Sequence, residues 1–151
     1  MNLNIKSLPI GTIVFTKWKG DDGIQKFIKN RTNCNPFSGA GINYYKTQNT
    51  CIIKSVDNTY YYKDDLTNIN YVDYTLFGHN NDQSEKEPYF NEPLLNNNKT
   101  KYIYLYRVIK HKSKSIYIWY GKYNIIDKKT EQHIGKNYLV RNIIILKLKR
   151  V

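Results

Sequence analysis

Apolar and polar residues alternate along the second half of the chain with the period of a β-strand. Across residues 102–109, three tyrosines at even positions alternate with Ile103, Leu105 and Arg107. Toward the end of the predicted strand 139–148, the aliphatic residues Ile144, Leu146 and Leu148 alternate with Lys147 and Lys149. A period of two predicts strands. Segments rich in β-branched and aromatic residues predict further strands at 12–18, 51–54, 59–62 and 115–126, with residues 56–58 as a turn.

One segment has the spacing of a helix. Ile24, Phe27 and Ile28 fall at i, i+3 and i+4, and Asp21 and Asp22 stand where they can cap its N-terminus. Loops are predicted at 33–41, 78–93 and 96–100, which are rich in Gly, Pro, Asn or charged residues. No loop separates two cores. The pattern predicts one domain over residues 1–151, mainly β (α+β), with a small, strongly curved sheet or open barrel and one or two short helices.

The net charge of the chain indicates the kind of partner that it binds. Lys and Arg total 24 against 12 Asp and Glu, a net charge of +12, which predicts a polyanionic partner. Aromatic residues make up 15% of the chain, so a folded domain is expected rather than a basic tail. The longest wholly apolar run, residues 143–146, is far shorter than the roughly 20 residues of a membrane helix. With no secretory signal pattern at the N-terminus, the expected location is the cytoplasm, away from membranes.

Catalytic and metal-binding motifs are not found. Cys34 and Cys51 lie too far apart for a CxxC pair and are predicted to be free thiols. His79, His111 and His133 have no metal-ligand spacing, and neither a nuclease metal motif nor a phosphate-binding glycine loop occurs. We therefore expect no catalysis, metal or cofactor in this chain.

Residues 60–65 and 74–83 combine aromatic side chains, acids and a turn-rich loop within a basic domain. A protein that inspects one base must take it out of the stack and hold it between two π-faces. A carboxylate can then accept a hydrogen bond from the exocyclic amine of cytosine, which thymine lacks. Tyr-rich strands also pack cores, so composition alone leaves both interpretations open.

The spacing of these residues resembles the SRA (YDG) family of modified-cytosine readers, in particular its bacterial restriction-system members. Residues 62–65 resemble the family's Tyr-x-x-Asp element, and 74–83 its Tyr-Thr-Gly-x-Gly-x-x-Gly-Asp-Gln element. Residues 91–94 resemble Asn-x-x-Leu, 119–123 the Tyr-Asp-Gly strand, 39–42 a Gly-Gly-Ile segment and 140–148 the closing strand. The resemblance covers residues 36–149. Leu76 and Asn81 replace family glycines, and Tyr120-Gly121 lacks the Asp.

The resemblance implies a PUA-like SRA fold and a base-flipping pocket. By it, Tyr62 and Tyr74 would sandwich the flipped base, Asp65 would accept from the cytosine amine and Thr75 would line the pocket. The pocket loop would comprise Leu76, Gly78, His79, Asp82, Gln83 and Asn91, with Asp82 and Gln83 holding it. The implied partner is duplex DNA carrying 5-methylcytosine or 5-hydroxymethylcytosine, read for a restriction or defence system with a fused or partner nuclease or helicase.

Five lysines are predicted to contact the DNA backbone, which positions a protein without reading sequence: Lys17, Lys19, Lys110, Lys112 and Lys114. Two other functions remain open. A PUA-like module could read an unmodified DNA site or RNA, and a small nuclease could use Asp64 and Asp65. A preference for modified duplex argues against the first, and metal-dependent cutting of DNA would be required for the second.

Overall fold

The computed structural model describes residues 7–151 as one curled sheet with two short helices. The elements in chain order are β1 (Ile13–Phe15), α1 (Ile24–Thr32), β2 (Ile42–Tyr45), β3 (Thr50–Val56), β4 (Tyr71–Thr75), α2 (Asn91–Leu95), β5 (Tyr102–His111), β6 (Lys114–Ile134) and β7 (Val140–Arg150). The strand order is β2-β3-β5-β6-β7-β4, and β1 pairs with β6. All pairs are antiparallel except β3 with β5. The mainly β, PUA-like prediction is confirmed.

Both faces of the sheet are covered, because successive side chains of a strand point to opposite sides. On β3, Ile53 belongs to the larger apolar cluster and Ile52 to the smaller one. The larger cluster joins β2–β7, whereas the smaller one packs the sheet against Ile24 and Ile28 of α1. Because α1 covers one face of the sheet and the other face encloses the larger cluster, the polar loops lie at the ends of the strands.

The two edge strands of the sheet approach each other through Tyr74. Its hydroxyl on β4 donates to the carbonyl oxygens of Gly41, next to β2, and Lys54, on β3, at 3.1 and 3.2 Å. These bonds cross from one end of the strand order to the other, so the sheet is curled into a half-barrel. The candidate site lies beside this crossing.

Several predicted elements are confirmed and some are corrected. Residues 115–126 lie within the longer β6, residues 140–148 of the predicted strand 139–148 lie in β7, and the helix is present. Asp21 and Asp22 do not cap it: Gly23 is the N-cap without a side-chain bond, and the two acids pair with Lys26 and Lys17 instead. Residues 59–62 form turns rather than a strand. The pattern did not predict β2, β4 or α2.

Three further findings concern residues 7–151. No helix there is long and apolar enough to cross a membrane. No group of three or more His, Cys, Asp or Glu side chains is arranged to hold a metal ion. Cys34 and Cys51 are buried free thiols, as predicted.

Candidate functional site

A cavity of about 350 Å³ opens between β4 and residues 61–64. Its walls include the aromatic side chains of Tyr61, Tyr62, Tyr74, Phe77 and Phe90. Ring faces suit a flat, polarisable ligand such as a nucleobase, because every base has a π-face to stack.

Among the described residues that line this cavity, Asp64 is the only acid. The Ser55 hydroxyl donates to its Oδ2 at 2.6 Å, and the Thr75 N–H donates to its Oδ1 at 2.7 Å. Burial raises the pKa of Asp64 to about 6, although these two hydrogen bonds favour the charged form. The carboxylate is thus fixed in position with remaining acceptor capacity, as needed to read an amine.

The structure places Asp65, predicted to face the base, outside this cavity. Its carboxylate accepts from the N–H of Thr67 at 3.0 Å and from the Thr67 hydroxyl at 2.7 Å, and these bonds lower its pKa. The backbone of Asp65 pairs with that of Asp73. Because neighbouring side chains in extended chain point in opposite directions, Asp64 turns inward and Asp65 outward. The inward acid is therefore one residue earlier than the spacing predicted.

The predicted residues Tyr62, Tyr74 and Thr75 are brought together at this cavity. Tyr74 is only 3% exposed, so its ring presents to the cavity only a part of its surface. Tyr62 is half-buried, and burial raises its pKa to about 12. Both phenols therefore remain uncharged near neutral pH and add no negative charge to the cavity.

The predicted pocket loop has several roles. Leu76, which was predicted to belong to the pocket loop, does not line the cavity. Its N–H donates to the Ile144 carbonyl, which continues the β4–β7 ladder, and its side chain is fully buried in the core. Phe77 is the wall residue instead. It is held by Asn91, whose Oδ1 accepts from the Phe77 N–H at 2.8 Å and whose Nδ2 donates to the Phe77 carbonyl at 3.0 Å. His79 lines the cavity.

Asp82 and Gln83 tie the loop to β7. Asp82 accepts from the Asn142 N–H at 2.8 Å, and Gln83 Oε1 accepts from the Ile144 N–H at 2.8 Å. Gln83 Nε2 also donates to the carbonyls of Leu76 and Gly78. Gly78 has a φ of 137°, a conformation that a side chain would strain, so the tight return of the loop requires glycine there.

Arg141 holds the rim of the cavity and was not predicted. The side chain is 4% exposed, and its guanidinium donates to the carbonyls of Gly78, Asn81 (3.3 Å) and Tyr61 (2.7 Å). One residue thus joins the two loops that flank the cavity. The available signal was its position on β7, on the same face as the buried Ile143 and Ile145, where an arginine needs buried partners.

Three of the five predicted DNA-backbone lysines, Lys110, Lys112 and Lys114, lie at the end of the sheet formed by the β5–β6 hairpin, and the other two, Lys17 and Lys19, follow β1. β1 runs antiparallel to β6 toward the start of β6, so Lys17 and Lys19 follow near the β5–β6 hairpin that carries Lys110, Lys112 and Lys114. Lys54 lines the cavity, and its pKa is lowered by burial and by the charge of Lys110. The basic end and the cavity are therefore neighbours, although Lys17 is partly neutralised by Asp22 at 3.2 Å.

Neither protein-family models nor curated proteins give a match to the sequence. Similar solved structures include KRYPTONITE in complex with mCHH DNA, with a TM-score of 0.58, 18% identity, 92% of this chain and 31% of that chain covered. The sulfur binding and SRA domains of ScoMcrA, complexed with phosphorothioated DNA, have a TM-score of 0.57 and 16% identity, with 92% of this chain and 40% of that chain covered. The DNA modification-dependent restriction endonuclease AspBHI has a TM-score of 0.59 and 9% identity, with 91% of this chain and 41% of that chain covered.

At these identities the similarity concerns the fold. The chain has the fold of an SRA domain, a half-barrel of mainly β structure with two short helices. It spans between 31% and 41% of the length of the three structures.

Proposed function

We propose that this chain is a DNA-binding reader that takes a modified cytosine, 5-methylcytosine or 5-hydroxymethylcytosine, out of duplex DNA and into the aromatic cavity. The observation that carries the proposal is the Asp64 carboxylate, held by Ser55 and Thr75 against aromatic walls. Such a carboxylate accepts from the exocyclic amine of cytosine and finds no such donor on thymine.

The energies of flipping and stacking are comparable. Stacking on an aromatic side chain contributes about 1–3 kcal/mol per base, against a few kcal/mol for unpairing and unstacking one nucleotide. A methyl group in a pocket adds only about 1–3 kcal/mol, so preference for a methylated base should be about 10–200-fold. The basic end of the sheet supplies the remaining affinity without reading sequence.

The fold supports the same class of function. KRYPTONITE and ScoMcrA have been solved with mCHH DNA and with phosphorothioated DNA, and AspBHI is a DNA modification-dependent restriction endonuclease. We infer that this chain is the reading part of a modification-dependent restriction or defence system. As part of this proposal, any nuclease or helicase activity resides in a fused or partner region.

A binding panel at one fixed salt concentration tests the proposal. One duplex would carry cytosine, 5-methylcytosine, 5-hydroxymethylcytosine, N6-methyladenine or a phosphorothioate linkage at the same position. We expect one modified cytosine to bind about 10–200-fold tighter than cytosine. Equal binding to all duplexes would contradict the proposal and favour a reader of unmodified DNA or RNA. Preference for the phosphorothioate alone would place recognition at the backbone rather than in the cavity.

Lys112 offers a test of the phosphate-contact role. Its φ is 56°, so Asn, which tolerates the left-handed region, removes the charge without straining the hairpin. We expect Lys112→Asn to weaken modified and unmodified duplexes equally and to reduce the slope of log K against log salt by about 1. An effect confined to the modified duplex would instead give Lys112 a role at the base.

A further inference from the structure

The tip of the β6–β7 hairpin exposes a run of apolar side chains close to the cavity. Tyr138, Leu139 and Val140 are 71%, 67% and 66% exposed. Single exposed apolar residues are common, but consecutive ones at the end of a projecting hairpin often mark a contact surface.

The conformation of Tyr138 is unfavourable for its residue type. Its φ is 67°, in the left-handed region that Gly and Asn adopt readily and a bulky aromatic residue rarely does. The tip is nevertheless firmly held. The Gly135 and Tyr138 N–H groups bond to the carbonyls of Leu139 and Gly135 at 2.8 and 2.9 Å. The Lys136 N–H bonds to the His79 carbonyl at 2.7 Å. An unfavourable residue kept in a rigid turn suggests a use for its side chain.

Tyr60 supports the ring of Tyr138 from one side. The two rings are stacked, with centroids 5.2 Å apart and planes 7° from parallel. The Tyr60 hydroxyl donates to the Lys136 carbonyl at 2.7 Å, which fixes this ring to the hairpin. We call Tyr60 and Tyr138 the aromatic ledge.

The ledge is continuous with the cavity wall. Tyr60 packs edge-on against Tyr61 at 5.1 Å between centroids, and Tyr61 lines the cavity. Lys136 Nζ lies 5.9 Å from the Tyr61 ring centroid, so a positive charge accompanies the aromatic surface. A polyanion bound over the cavity would thus meet this surface.

We propose that Tyr138 stacks on a base of the duplex beside the flipped nucleotide. This inference rests on the proposed function, because removing one base from the stack exposes the faces of its neighbours. Exposed rings backed by other rings stack on such faces whatever the sequence. The ledge would stabilise the opened duplex without contributing to recognition of the modification, which belongs to the cavity.

The test uses Tyr138→Asn, which removes the ring and suits the left-handed backbone. Tyr138→Phe keeps the ring. Tyr71→Ala is the matched control, since Tyr71 is 45% exposed at the opposite end of β4 from Thr75. The duplex carries the modified cytosine that the panel selects, with 2-aminopurine as the neighbouring base, whose fluorescence is quenched by stacking.

We expect Tyr138→Asn to weaken binding to this duplex about tenfold and to leave the 2-aminopurine brighter in the complex than wild type does. Tyr138→Phe and Tyr71→Ala should match wild type in both readouts. Unchanged affinity and fluorescence for Tyr138→Asn, in a wild-type background that prefers the modified duplex, would overturn the ledge alone. A wild-type protein without that preference would overturn the ledge together with the proposed function.

Discussion

Asp64→Asn is expected to remove most of the preference for a modified cytosine, whereas Asp65→Asn leaves it unchanged. Both substitutions exchange a carboxylate for an amide of the same shape, one residue apart. Asp64 lines the cavity, while Asp65 is occupied by Thr67 outside it. A hydrogen bond to a charged group contributes about 1.5–3 kcal/mol, and Asp64 makes it only with a base inside the cavity, so affinity for the modified duplex should fall by more than about tenfold relative to backbone binding of the unmodified duplex.

Comparing Asp64→Asn with Asp65→Asn distinguishes a base bound in the cavity from a base bound on the opposite side of this segment. If Asp65→Asn abolishes the preference and Asp64→Asn does not, the base is read from the other side of this segment. Equal, small losses for both variants would mean that no carboxylate reads the base. Affinity for unmodified duplex serves as the reference, because it depends on the lysines rather than on either acid.

The same carboxylate gives the preference a pH dependence. With a pKa of about 6, Asp64 is mostly ionised at pH 7.5 and mostly protonated at pH 5, where it loses acceptor capacity. The preference should therefore decline over this interval. His79→Gln is the control, since His79 also lines the cavity and its own pKa is lowered by burial.

Unfolding should not account for that decline. The pKa of Asp64 is raised above its ordinary value of 3.8, so the native state holds this proton more tightly than the unfolded chain does. By linkage, the group's contribution to stability is fully present below about pH 4 and is lost as the pH rises through about 6. A melting temperature that does not fall between pH 7.5 and 5 would accompany the loss of preference.

Arg141→Met is expected to destabilise the protein and to abolish recognition of the modified base together. The guanidinium donates to the carbonyls of Gly78, Asn81 and Tyr61, and methionine leaves these groups without that donor. The Gly78 carbonyl keeps the Gln83 amide as a donor, whereas the Tyr61 carbonyl loses its guanidinium partner; one buried unsatisfied polar group costs about 1–3 kcal/mol, so the free energy of unfolding should fall by about that amount. Urea denaturation measures the loss, and the duplex panel measures recognition.

Arg150 is the matched control on the same strand. Its guanidinium donates to the Gly11 carbonyl at 3.1 Å, away from the cavity, so Arg150→Met should cost about 1 kcal/mol and keep the preference. Arg141→Lys should be intermediate, because an ammonium cannot span both loops as the planar guanidinium does. Full recognition in a folded Arg141→Met protein would show that the rim does not need this tie.

Prediction from sequence succeeded where a local pattern of apolar residues is sufficient to specify a strand or a helix. The period of two in residues 139–148 places Leu146 and Leu148 in the core, and the i, i+3, i+4 spacing identifies α1. It failed where the outcome depends on distant contacts. β4 is five residues long and is defined by its register with β7, and residues 59–62 have strand composition but lie in turns.

The two neighbouring acids show the same limit within the site. The motif spacing selects Asp65, yet Ser55 and Thr75 bind Asp64, and both partners are brought there by the curl of the sheet. Leu76, expected in the pocket loop, continues the pairing of β4 with β7 and is buried. In both cases a one-residue change reverses the side of the chain that faces the cavity.

Charge and alternation are local and additive properties, so they can be read from the chain alone and indicate a basic, aromatic, mainly β domain. The sequence also singled out residues 60–65 and 74–83, several of which line the cavity. The tertiary structure alone decided which acid enters the cavity, which aromatic residues form its walls and which buried arginine ties its rim. Those choices depend on register and on contacts between residues up to 80 positions apart, as between Arg141 and Tyr61, which no local pattern encodes.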